Sequence, residues 1–188
     1  MMDEKTINRI IKEQGVPEHI IRHCRMVRHV ASGIAFALEN RGCRIDRSLV
    51  DAAAMLHDIS KMESVNNGGD HALMGQRLLE GQGYPRVGAI IGRHVRLGSF
   101  DLNEAMVVNY ADKRVRHDEV VSLELRFDDL VKRYGVSRQR LEHIERLYQD
   151  TLKMQQIILD AAGLDLCALD RRYLVPGDES LDAGYPFL

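Results

Sequence analysis

Cysteine is scarce in this chain of 188 residues. Cys24, Cys43 and Cys167 are the full complement. Three widely separated thiols cannot build a disulfide frame or a cysteine zinc cluster, and they read as free thiols of a reducing compartment. A cytoplasmic location is therefore expected. No apolar run approaches the roughly 18 residues needed to span a bilayer. The opening Met1-Met2-Asp3-Glu4-Lys5 lacks the apolar stretch of a secretory signal. Charge of one sign is also missing: 26 basic and 28 acidic residues leave a formal net charge of −2. That balance argues against a nucleic-acid or membrane partner. Strand-like alternation never persists beyond a few residues, and there is no internal repeat. With 45% hydrophobic residues, the chain can bury one sizeable core.

What is present is helical periodicity. A first helix is expected over 4–14, broken by Gly15-Val16-Pro17. Over 18–40, Ile20, Cys24, Val27, Ala31, Ile34 and Leu38 recur every three or four residues and mark one helix face. Asp46 or Ser48 caps the next helix, whose Leu49, Val50, Ala52, Ala53, Ala54, Met55 and Leu56 are apolar nearly all round, as in a buried central helix. Asn66-Asn67-Gly68-Gly69 reads as a loop. Asp70 then caps a helix over 71–82, and Pro85 starts one reaching His94. Further helices are expected over 103–116, 122–134 and 137–162. Beyond Gly163, Pro176, Gly177, Gly184 and Pro186 indicate irregular chain. The expected organisation is one all-α domain over 1–163 and a tail over 164–188.

Ionisable residues interrupt several of the apolar faces. At about 100° per residue, His23 shares a face with Val27, Val30 and Ile34. His57 and Asp58 end the most apolar helix. His94 follows Val87, Ile90 and Ile91, Asp112 follows Ala105 and Val108, and His71 opens a helix that buries Met74 and Leu78. A single inward histidine is ordinarily a hydrogen-bonded core residue. Six such groups, two of them carboxylates that are costly to bury alone, are explained together by a shared metal centre. Mixed imidazole and carboxylate ligands suit Mn, Fe, Co or Zn. A second pair, His117-Asp118, is flanked by Arg114, Arg116 and Glu119 and reads as solvated. Arg25, Arg28 and Arg96 are expected to face solvent.

The ordered set resembles the HD-domain metal-dependent phosphohydrolase superfamily. Its carriers are His23-Cys24-Arg25-Met26-Val27, Leu56-His57-Asp58-Ile59-Ser60-Lys61, His71-Ala72-Leu73-Met74-Gly75, Ile91-Gly92-Arg93-His94 and Tyr110-Ala111-Asp112-Lys113. The resemblance covers residues 20–116 and implies an HD-type helical bundle. It implies a first metal held by His23, His57, Asp58 and Asp112, and a second held by Asp58, His71 and His94. One or two divalent transition-metal ions are thus the expected cofactor. The branch that hydrolyses symmetrical dinucleoside tetraphosphates is similar in its extra histidines and its Ala-Asp-Lys step. Val95 stands where that branch has threonine, and Arg114-Val115-Arg116 where it has Glu-Pro, so the substrate stays open.

The expected reaction is hydrolysis of a phosphate ester or anhydride, with a nucleotide as the expected substrate. By the same resemblance Asp58 would bridge the metals, and Lys61 lies one turn beyond His57, where it could reach a phosphate oxygen. Arg93, Lys113 and Arg114 flank the ligands as candidate substrate contacts. A homodimer is left open. Two alternatives stand beside this reading: a regulatory module that binds a nucleotide without hydrolysing it, and a di-iron oxygenase.

Overall fold

Side-chain caps set where most helices begin. The computed structural model describes residues 2–171. Asp3 accepts from the Thr6 amide at 2.8 Å and starts α1 (Glu4–Glu13). Pro17 precedes α2 (Glu18–Glu39), a helix of 22 residues. Asp46 caps α3 (Arg47–Leu56), Asp70 caps α5 (His71–Gly81), and Pro85 occupies the first turn of α6 (Pro85–Ile91). Asn103 accepts from the amides of Ala105 and Met106 to open α7 (Glu104–Lys113). Ser122 and Ser137 cap α8 (Leu123–Tyr134) and α9 (Arg138–Ala162). A short α4 (Lys61–Asn67) and α10 (Leu166–Leu169) complete the helices among the described residues. None of these is long and apolar enough to cross a membrane.

The architecture is all-α. Helix α2 packs against α3, α7 and α9, and α3 in turn meets α6 and α7. The apolar face expected on α2 is buried throughout, with Val27, Ala31, Ile34 and Leu38 wholly inaccessible. Helices α5 and α6 approach closely through glycine. A Cβ at Gly75 would stand 3.1 Å from both Ile59 and Ile91, and one at Gly88 would stand 2.9 Å from the Gln76 carbonyl oxygen. This contact holds the start of α5, and with it His71, against the segment that follows α3.

Several local expectations need correction. Asn66 and Asn67 lie in the last turn of α4, and the loop begins only at Gly68, whose φ of 77° ends the helix. The helix expected to reach 116 stops at Lys113. Val115–Arg116 (β1) pairs antiparallel with Glu119–Val120 (β2), in a hairpin turned by His117 at φ 58°. Two-residue strands are too short to show alternation, which is why the sequence pattern is silent there. Helix α3 ends at Leu56, so His57 and Asp58 occupy the turn after it rather than its last turn. Residues 164–171 are not irregular: α10 forms there, Leu169 is fully buried, and Asp170 pairs with Arg114 at 3.0 Å. The rest of the expected tail, 172–188, lies outside the described residues.

Candidate metal centre

Five separate segments deliver side chains to one point. The middle of α2's first half supplies His23, and the turn after α3 supplies His57 and Asp58. The first residue of α5 supplies His71, the turn after α6 supplies His94, and the last turn of α7 supplies Asp112. The imidazole centroids of His23 and His57 are 5.3 Å apart, those of His57 and His94 5.0 Å, and those of His71 and His94 4.9 Å. His57, Asp58, His94 and Asp112 are buried; His23 and His71 are partly so.

Backbone carbonyls set the tautomers. Nδ1 of His57 donates to the Ala54 carbonyl at 2.8 Å, Nδ1 of His94 to Ile91 at 2.6 Å, and Nδ1 of His23 to His117 at 2.7 Å. A carbonyl oxygen can only accept, so each Nδ1 carries a proton and each Nε2 is the nitrogen turned to the cluster, where the neutral ring offers a lone pair. This outer arrangement is the one that orients metal-ligating histidines.

The inward atoms lie at ligand-to-ligand spacings. Nε2 of His23 is 3.2 Å from Asp112 Oδ1, and Nε2 of His57 is 3.7 Å from Asp58 Oδ2 and 3.8 Å from Asp112 Oδ1. On the other side, Asp58 Oδ1 is 3.2 Å from His71 Nε2 and 3.7 Å from His94 Nε2, and the two Nε2 atoms are 3.0 Å apart. Bonds of about 2.1 Å to a central ion imply ligand–ligand edges of ~3.0–3.4 Å at octahedral or tetrahedral angles. Two triads could hold an ion, His23-His57-Asp58 and Asp58-His71-His94, and Asp58 belongs to both.

Electrostatics favour the cation-binding forms of His57, Asp58 and Asp112, whereas at His23 burial, which lowers the pKa, is outweighed by Asp112 and Asp58, which raise it. Burial drives the His57 pKa down to about 3, against the pull of Asp58, so the ring is neutral. Its Nε2 is buried without a hydrogen-bond partner. An orphaned buried acceptor of this kind costs roughly 1–3 kcal/mol, and an ion at Nε2 removes that cost. Burial tends to raise the carboxyls of Asp58 and Asp112, yet both are held well below the usual range. His57, His71, His94 and Lys61 act on Asp58; Lys113, His23, His57 and Arg126 act on Asp112.

The flanking cations divide. Lys61 Nζ is 3.3 Å from Asp58 Oδ1 with its side chain 39% exposed, so it stands at the mouth of the site. Lys113 is buried and donates to Asp112 Oδ2 at 2.7 Å and to the His94 carbonyl at 3.1 Å. Arg93 is exposed. Arg114 is not brought to the cluster: its donors go to the Val121 carbonyl, the Tyr110 hydroxyl and both oxygens of Asp170. A guanidinium tied into a buried network on that side is a brace between α7 and α10. The cation missed by sequence reading is Arg126 of α8, whose side chain is 14% exposed and lies 4.0 Å from Asp112 Oδ1. No spacing signal marks it, because Arg126 is one of six charged residues flanking the apolar Leu123, Phe127 and Leu130 stripe of α8. The side chain of His117 is exposed, in line with its solvated reading, while its carbonyl orients His23.

Known proteins share part of this sequence. Residues 20–116 match the family described as HD domain. An uncharacterized protein of Methanocaldococcus jannaschii is 27% identical over 130 residues, which are 62% of this chain and 76% of that protein. The tRNA (cytidine(56)-2'-O)-methyltransferase of Picrophilus torridus is 29% identical over 143 residues. That match covers 67% of this chain but only 40% of the methyltransferase. No solved structure matches the chain significantly.

Proposed function

The chain belongs to the HD-domain family, and from that premise we propose that it is a phosphohydrolase acting on a phosphate ester or anhydride of a nucleotide. In this reading His23, His57, Asp58 and Asp112 hold one divalent transition-metal ion, and Asp58, His71 and His94 hold a second. The observation that carries it is the partnerless, buried Nε2 of neutral His57, aimed between two ionised carboxylates. Bound there, divalent ions supply an activated water at neutral pH and neutralise charge on the phosphoryl group.

The protein's own groups do the rest. Asp58 is shared by both triads and sets their separation. Lys113 and the His94 carbonyl keep Asp112 and the 94-turn in register. Lys61 is exposed enough to leave Asp58 for a phosphate oxygen, and Arg126 approaches from α8 on the Asp112 side; Arg93 is a further contact at the rim. The reading makes residues 1–163, with α10, the functional unit, and it keeps the cytoplasmic assignment.

The test is elemental analysis followed by activity. The full chain, purified without chelator and supplemented in turn with Mn, Fe, Co and Zn, is assayed against mono-, di- and dinucleoside phosphates. Bound metal with phosphate release supports the proposal. Metal-loaded protein that binds nucleotides without turnover would replace it with a regulatory role, and protein that retains no metal would overturn it.

A further inference from the structure

A cavity of about 290 Å³ opens between the 95–100 loop, the C-terminal turn of α7 and the face of α9. None of the six candidate metal ligands lines it. Its lining includes Arg96 from the loop and Arg146 and His143 from α9, with buried Lys113; both arginines are solvent-exposed and close enough to His143 to act on its charge. Among the described residues, neither arginine has a carboxylate partner. The one acidic lining residue, Asp150, has its charge met by Lys153 at 3.6 Å.

Two arginines lining one cavity without a carboxylate partner make its potential positive, and their planar donor forks match phosphate oxygens. Burial and the nearby Arg96, Arg146 and Arg140 lower the pKa of His143, in keeping with a positive potential in the cavity. We propose that this cavity binds a phosphate group, at a site separate from the metal centre and touching it only through Lys113. Nζ of Lys113 donates to Asp112 Oδ2 and the His94 carbonyl. Because Lys113 also lines the cavity, an anion there has a neighbour in common with the candidate metal ligands. The phosphate is either a second phosphate of the substrate or a free anion.

The proposal is tested by phosphorus NMR titration of the full chain with inorganic phosphate, zinc-loaded and chelator-treated. Phosphate should bind in both states. The double substitution Arg96→Glu/Arg146→Glu should weaken that binding more than about tenfold, and Arg96→Gln alone by a smaller factor, with metal content and melting temperature unchanged. Binding that is equal in the double variant, or that vanishes with chelator, would overturn the site. The KM values distinguish the source. A rise confined to substrates with two or more phosphates identifies the substrate's second phosphate; unchanged KM with lost phosphate binding identifies a free anion. The isotherm needs no turnover, so it stands or falls independently of the proposed hydrolysis.

Discussion

Replacing His57 by leucine separates the cost of building the site from what the site does. The residue is 1% exposed, so leucine, similar in size, fits the same space. The substitution removes the hydrogen bond to the Ala54 carbonyl, a net loss of about 1 kcal/mol. It also removes the orphaned Nε2, a gain of roughly 1–3 kcal/mol. Metal-free His57→Leu should therefore melt within a few degrees of metal-free wild type, or slightly above it, at ~2–4 °C per kcal/mol for a chain of this size. Wild type should gain about 2.7 kcal/mol from metal at a hundredfold excess over Kd, which is roughly 5–10 °C. In His57→Leu that increment should fall by at least half. The pH dependence adds a sign. The folded His57 pKa of about 3 lies below its ordinary 6.5, so the unfolded chain binds the proton first. Metal-free wild type loses this contribution as pH falls from 6.5 towards 3, at up to about 1.4 kcal/mol per unit. His57→Leu should show a shallower loss over that window. Thermal melts with chelator and with manganese, at several pH values, measure all of this. A metal-free variant that melts far below wild type would show that protein contacts satisfy Nε2; an undiminished metal increment would show that His57 is not a ligand.

Four further outcomes are expected. Asp58→Asn should abolish phosphate release, whereas His94→Ala should empty the second site and leave the first loaded; full metal content and activity in His94→Ala would rule out the two-ion reading. Arg126→Ala should raise KM about tenfold with kcat less affected, and Arg126→Lys should restore part of it, so an unchanged KM would remove Arg126 from the site. His117→Ala should cost about 1 kcal/mol in stability, because it removes the contact of Nε2 with Arg133 and because histidine accepts φ 58° more readily than alanine, while activity persists through the unchanged carbonyl that holds His23; a loss of activity like that of Asp58→Asn would contradict this. The acid limb of the pH–rate profile should move to lower pH as metal concentration rises, because protons and metal compete for the imidazoles; a limb that stays put would belong to another group.

Much of the fold was legible in the chain because helices are specified locally. Asp3, Asp46, Asp70, Asn103, Ser122 and Ser137 cap where their side chains can reach amides two or three residues on. The apolar spacing on α2 and α7 decided which way His23 and Asp112 point, since a residue on a buried stripe has nowhere else to go. The order of the candidate ligand types was legible for the same reason: each sits at the end or on the inner face of a locally defined helix.

Tertiary structure decided the rest, because contacts between distant segments leave no periodic trace. Only folding brings Asp58 within 3.2 Å of His71 and His23 within 3.2 Å of Asp112. Only the carbonyls of Ala54, Ile91 and His117 choose which imidazole nitrogen faces inward. Arg114 and Arg126 are equivalent in composition. Arg114 meets Asp170 of the chain's last described turn and becomes a brace, while Arg126 reaches Asp112 from a helix outside the matched region. A cation's role depends on which carboxylate the packing of remote helices sets beside it, and that pairing is fixed by the folded core rather than by its neighbours in sequence.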